Sequence, residues 1–219
     1  MGLDDLLSHP KIWKGTGDGF KPEVIPTGFA ALDRYLPGGG WPQKAVTEIF
    51  VDRYGIGELS LLMPACVTQQ SVIWIAPPYI PYAPALLRYG LRLERSLLVK
   101  CSDRPQDVLW AIEQVLIANF EAAVFAWIKT VSHTALRRLQ LDVEEQNSWT
   151  VFFRPMSALR QRSPAALQLR LSGGGSGASN GVRIEILKCR GGKPGVVDID
   201  ASEFPKLEKS LLLERVGDD

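Results

Sequence analysis

The chain has 219 residues, 46% of them hydrophobic and 22% charged, and its 25 basic and 24 acidic side chains give a formal net charge of +1. That length allows one full domain with a short tail, and the composition is that of an ordinary globular protein whose core needs no staples. Balanced charge excludes a bulk electrostatic pull toward nucleic acid or membrane, leaving only a local basic patch as a route to either.

Three cysteines, Cys66, Cys101 and Cys189, are odd in number and far apart, with no CxxC pair. This argues against a disulfide framework or a zinc site and for a reducing compartment. The opening MGLDDLLSHP lacks the basic-then-apolar pattern of a secretory leader. No stretch approaches the roughly 20 apolar residues of a membrane helix. The expected location is the cytoplasm, away from membranes.

Residues 1–24 form a weakly patterned lead-in, and order is expected to begin at Ile25-Pro26-Thr27-Gly28. Asp33 and Leu36 lead into Pro37-Gly38-Gly39-Gly40-Trp41-Pro42, a glycine-punctuated turn. Ala45 to Val51 reads as a buried strand, Leu59 to Val67 as a helix, Ser71 to Ala76 as a second strand and Leu97 to Lys100 as a third. Val108, Leu109, Ile112, Val115 and Leu116 fall at helical spacing within 104–119, with Pro105 suited to the first turn. Ala122 to Ile128 is another apolar strand, 134–146 a helix that Ser132 can cap, and Thr150 to Phe153 a further strand. Unbroken apolar strands alternating with helices predict an α/β fold, with a mostly parallel sheet covered on both faces.

Beyond Arg154 the pattern changes. Pro155 to Ala165 reads as a loop that exposes Arg160 and Arg162. Leu167–Leu171 and Val182–Ile186 alternate apolar and polar residues and predict an antiparallel C-terminal hairpin of edge strands, joined by the connector 172–181. Glu203 to Arg215 predicts a terminal helix. The domain plan is therefore a lead-in over 1–24, a core over 25–202 and a tail over 203–219.

The turn between the first core strand and its helix is where a phosphate-binding loop belongs. Such a loop aims backbone N–H groups and a helix N-terminus at phosphate oxygens, with a Lys for charge and a Ser or Thr for magnesium. Here it reads Asp52-Arg53-Tyr54-Gly55-Ile56-Gly57-Glu58-Leu59-Ser60. Gly55 and Gly57 are in place, but Glu58 holds the lysine position and Leu59 lacks a hydroxyl. A carboxylate facing phosphate at about 4 Å, with an effective dielectric of about 20, reverses an interaction of roughly 4 kcal/mol. Hydrolysis also needs an acid at the end of a neighbouring strand. The strand ending at Trp127 and Lys129 has none, and the one running into Pro77-Pro78-Tyr79 has none either. No catalytic residue and no cofactor are expected. A structural loop is the plainer reading, and Ser60 or Arg53 would have to rescue any nucleotide binding. Ser132-His133 has no nucleophile elbow around it, and Glu144-Glu145 reads as a solvated helix face.

Ile25 to Asp33, Pro37 to Pro42 and Ala45 to Ile49 together resemble the approach to the core of RecA and its relatives. Gly55 to Ser60, Ala76-Pro77-Pro78 with Pro81 to Leu86, and Leu136 to Leu141 narrow the resemblance to the ImuA family, across most of residues 25–155. It implies a RecA-like three-layer core and a place in the SOS-type response to DNA damage, in error-prone translesion synthesis and repair. Implied partners are RecA, an inactive Y-family polymerase of the ImuB type and a damage-inducible replicative-type polymerase. The resemblance sets Glu58 at the phosphate-loop lysine, Trp127 near a magnesium-associated acid and the Pro77–Pro84 loop at the catalytic glutamate. Lys188 and Arg190 match late-strand lysines of RecA that reach a neighbouring subunit's ATP. In this chain they are a remnant interface, a DNA contact or solvated charge. Arg160 and Arg162 lie where RecA binds single-stranded DNA, but without the aromatic residues that stacking favours. Three functions follow: a non-catalytic adaptor with docking elements in 1–24 and 203–219, an unorthodox ATPase, or a SulA-like inhibitor of the tubulin-like division protein. The Tyr79–Tyr82 segment is either an exposed contact or a turn stiffened by its prolines.

Overall fold

The computed structural model describes residues 22–102, 104–118, 121–146, 148–174 and 181–204. The chain opens with β1 (Val24–Ile25) and α1 (Ala30–Asp33), followed by β2 (Trp41–Pro42), which pairs antiparallel with β1. The Thr27-Gly28 turn is locked by its own side chains. Thr27 Oγ1 accepts from the Phe29 N–H at 3.0 Å, and Asp33 Oδ1 accepts from the Thr27 N–H at 3.0 Å. Gly28 has φ +86°, and a Cβ there would lie 2.4 Å from the Pro64 side chain, so no other residue fits without a shift.

The core then runs β3 (Val46–Val51), α2 (Glu58–Cys66), β4 (Ser71–Ile75), α3 (Ala83–Arg88), β5 (Ser96–Val99), α4 (Pro105–Ile117), β6 (Ala122–Trp127), α5 (His133–Glu145) and β7 (Trp149–Pro155). A 3-10 turn over Met156–Arg160 leads to β8 (Leu167–Gly173), β9 (Val182–Cys189) and β10 (Gly195–Ile199). One eight-stranded sheet has the order β10-β9-β8-β3-β7-β6-β4-β5. Its pairings are parallel from β8 to β5 and antiparallel from β8 to β10. Helices α2 and α3 cover one face and α4 and α5 the other, in two apolar layers. The expected α/β fold, a RecA-like three-layer core with a mostly parallel sheet and an antiparallel C-terminal hairpin, is the one found.

Strand β6 shows why these runs are apolar throughout. Ala123, Phe125 and Trp127 enter one layer, while Ala122, Val124 and Ala126 enter the other. Ser132 caps α5 as expected, accepting from the Ala135 N–H at 3.1 Å. Trp41, Trp149, Phe125, Trp74, Trp127 and Phe153 form a continuous chain of ring contacts with centroids 4.6–6.4 Å apart.

The structure differs from the sequence reading at the hairpin strands and at the β4–α3 connection. Neither hairpin strand is an edge: β8 lies between β3 and β9, and β10 lies outside β9. Their alternation arises because α4 and α5 pack over the other end of the sheet, leaving alternate residues of β8 and β9 half-exposed. Helix α3 begins inside the Pro77–Pro84 segment read as loop, and Pro84 sits in its first turn, where a missing N–H costs nothing. The expected terminal helix lies mostly outside the described residues. Its first residue, Glu203, ends a 3-10 turn in a reciprocal capping box with Asp200.

Candidate functional site

The loop between β3 and α2 has the backbone of an anion cradle. Gly55 (φ +83°) and Gly57 (φ +105°) are both left-handed, and a Cβ on Gly57 would meet Val182 Cγ2 at 2.6 Å. The cradle holds a side chain of its own protein. Glu58, at the first position of α2 and only 5% exposed, folds back over the loop. Its carboxylate accepts from the Gly55 N–H at 2.8 and 3.0 Å and from the Ile56 N–H at 2.9 Å. Charge-assisted bonds of this kind are the stronger class, and the N-terminus of a helix favours an anion. The Tyr54 phenol is pushed up from its ordinary value by burial and, secondarily, by the Glu58 charge.

The sequence reading set a carboxylate at the lysine position, where it would repel phosphate. In the structure that carboxylate turns back onto the loop and uses the N–H donors a phosphate would need. Leu59 packs against the apolar layer, and the Ser60 hydroxyl accepts from Tyr89 at 3.1 Å. Ser60, Arg53, Gly55 and Gly57 border a shallow depression with Gly173 and Val182. Trp127 closes the end of β6, stacked on Phe153 at 4.6 Å. Among the described residues no group of three or more His, Cys, Asp or Glu could hold a metal ion, and no helix is long and apolar enough to cross a membrane.

No protein-family model matches the chain. Curated proteins do: "Protein ImuA" of two strains of Caulobacter vibrioides, NA1000 / CB15N and ATCC 19089 / CIP 103742 / CB 15, is 27% identical over 208 residues. The match covers 82% of this chain and 84% of each relative. The chain resembles ImuA. The ImuA-like segments fall on β1 with α1, on the Gly55–Ser60 loop, on the β4–α3 connection and along α5.

The remaining site residues expected of an ImuA-like chain separate into two places. Arg160 and Arg162 are exposed on the connection after β7, as expected. Gln161 between them points inward, donating to the Val131 carbonyl at 2.6 Å and accepting from Arg154 at 2.7 Å. Lys188 joins this connection, donating to the Ser163 carbonyl at 2.9 Å, and burial is the main cause lowering its pKa. Arg190 instead pairs with Glu144 on α5 at 3.4 Å. Lys188 is held by a backbone carbonyl, while Arg190 stays exposed in a surface ion pair. Their polar partners lie outside the Asp52–Gly57 loop.

Sequence reasoning missed a buried network behind the loop. Arg154 and Glu48 are at most 1% exposed and pair at 2.8 Å. Gln168 donates to the other Glu48 oxygen at 2.8 Å. The network ties β3, β7 and β8 to the Arg160–Arg162 connection. A lone acid inside the apolar run Val46–Val51 was the available signal.

The surroundings of the three thiols disfavour the thiolate. Burial pushes Cys66 up to about 12 and Cys189 up to about 11, and Cys101 is raised by burial and then by Asp107. At pH 8 the thiolate fraction of Cys66 is about one part in ten thousand. An aromatic disulfide reagent is therefore expected to label native Cys66 and Cys189 far more slowly than the same thiols in denaturant. Rapid labelling of Cys66 in the native state contradicts this.

Proposed function

We propose that this chain is a non-catalytic, RecA-like accessory protein of damage-induced mutagenesis, working in translesion synthesis as an adaptor. Its partners are RecA and an inactive Y-family polymerase of the ImuB type, within an assembly that includes a damage-inducible replicative-type polymerase. The observation that carries the non-catalytic part is the Glu58 carboxylate on the Gly55 and Ile56 N–H groups. A loop whose donors are taken by an internal anion has no empty cradle for a triphosphate. The missing loop lysine and missing strand-end acids support the same reading. The similarity to ImuA over most of both chains supports the placement in mutagenesis.

The test is capture of the tagged full-length chain from DNA-damaged cells, with bound proteins identified by mass spectrometry. RecA or the inactive polymerase is the expected companion. Recovery of the tubulin-like division protein alone overturns the adaptor role in favour of division inhibition. Magnesium-dependent ATP turnover by the purified chain overturns its non-catalytic part.

A further inference from the structure

The eight-stranded sheet ends at β5, and no described strand covers its outer side. The Val99 carbonyl accepts from the Ala76 N–H at 2.9 Å, so Val99 and Leu97 turn their backbone groups toward β4. By the alternation of a strand, Ser96 and Leu98 turn theirs outward, away from the ladder. Such an edge is a template for another chain, and proteins keep it bare with short strands and charge. Here it is also bordered by apolar side chains in water. Leu97 on the strand itself is 54% exposed, and Tyr79, Ile80 and Tyr82 on the connection out of β4 are 76%, 66% and 71% exposed. Ile80 and Leu98 line one cavity, which places that connection beside β5. Repulsion alone has no use for such a border, whereas an interaction surface does.

We propose that the β5 edge is a strand-addition site for an extended acidic segment of a partner protein, with apolar residues at its alternate positions. The outward N–H and C=O groups of Ser96 and Leu98 supply the pairing, and the side chains around them choose the partner. Residues 88–103 hold four cations, Arg88, Arg92, Arg95 and Lys100, against two acids, Glu94 and Asp103. Arg92 and Arg95 precede the strand and Lys100 follows it, so both of its ends are positive. None of the four cations is in an ion pair with a described acid. Asp107, the next acid along the chain, is already answered by Arg104 at 3.1 Å and by the Ser102 hydroxyl. An incoming segment therefore gains from carboxylates near both ends of the strand and loses from lysines there. Its apolar residues on one face meet the Ile80 and Leu98 side, and those on the other meet Leu97.

The test titrates a blocked peptide of alternating aspartate and valine into the isotope-labelled full-length chain and follows amide hydrogen exchange. At saturation the Leu98 amide is expected to exchange roughly tenfold more slowly, while the Leu97 and Val99 amides, which face β4, are unchanged. Methylating the peptide nitrogens along one edge of the probe is expected to abolish binding, and along its other edge to leave it. Arg95→Glu is expected to weaken binding roughly fivefold, and Lys193→Glu, on the exposed turn before β10, to leave it unchanged. Near-ultraviolet circular dichroism of the buried indoles checks that each variant is native. No slowing at Leu98 overturns the proposal and leaves an edge that is merely blunted, as does binding that survives methylation of either edge. Equal affinity for an alternating lysine and valine peptide, or for the Arg95→Glu variant, overturns the acidic class. Slowing at Leu98 that grows with protein concentration in the absence of peptide overturns the partner in favour of a second copy of this chain.

Discussion

Arg154→Met is expected to lower the unfolding free energy by about 3–5 kcal/mol, because it strands the Glu48 carboxylate in the middle of the sheet. Glu48 pairs across the ladder with Phe152 of β7 and Gln168 of β8, and it is fully buried. Its charge is satisfied by Arg154 at 2.8 Å and Gln168 at 2.8 Å. Removing the guanidinium takes away the cation without giving the acid any route to water. It also frees the Gln161 side-chain oxygen and loosens the tether of the Arg160–Arg162 connection. Combining Arg154→Met with Glu48→Leu is expected to recover part of the loss, since an apolar pair of similar volume is often neutral where a broken ion pair is not. Urea unfolding followed by tryptophan fluorescence reports both variants through the ring chain of Trp41, Trp74, Trp127 and Trp149. A double variant no more stable than the single contradicts the stranded-charge explanation.

Glu58→Ala is expected to cost about 2–3 kcal/mol, the scale of losing charge-assisted bonds from two backbone N–H groups in a partly buried loop. Glu58→Gln is expected to lose less, about 1 kcal/mol, because the amide oxygen still accepts one of those bonds. Left-handed Gly55 and its neighbour Ile56 both donate to this carboxylate, so its removal also frees the loop conformation. The Ala variant is expected to gain weak affinity for inorganic phosphate, since the vacated N–H groups and the helix N-terminus then face an empty cradle. Calorimetric titration with phosphate checks this against the unaltered chain. A stability unchanged by Glu58→Ala contradicts the internal-ligand reading.

The parts of this fold that were legible in the sequence are those where one physical demand dominates. β4 and β6 are buried almost throughout on both faces, so apolar residues dominate there, and their runs are unmistakable. α5 carries a single buried stripe of Leu136, Leu139 and Val143 behind a serine cap. β10 was missed because five residues following Gly191-Gly192-Lys193-Pro194 carry too short a pattern to outweigh the turn signals before them. α3 was hidden by prolines that in fact open it. At the site, the sequence shows which residue stands at the lysine position but not where its side chain points. That direction depends on Gly55 and Ile56 presenting N–H groups to Glu58, which the left-handed glycines of the folded loop arrange. Arg160 and Arg162 were legible as exposed, whereas the inward Gln161 between them depends on Arg154 and Val131, distant in sequence.

The most direct test of an internally filled loop is to titrate magnesium ATP into isotope-labelled protein while following the Gly55 and Ile56 amide resonances. The expected result is that neither moves in a saturable way at millimolar nucleotide, while both shift in the Glu58→Ala variant when the carboxylate is gone. Saturable shifts of both amides in the unaltered chain would mean that nucleotide displaces Glu58, contradicting the internally filled loop.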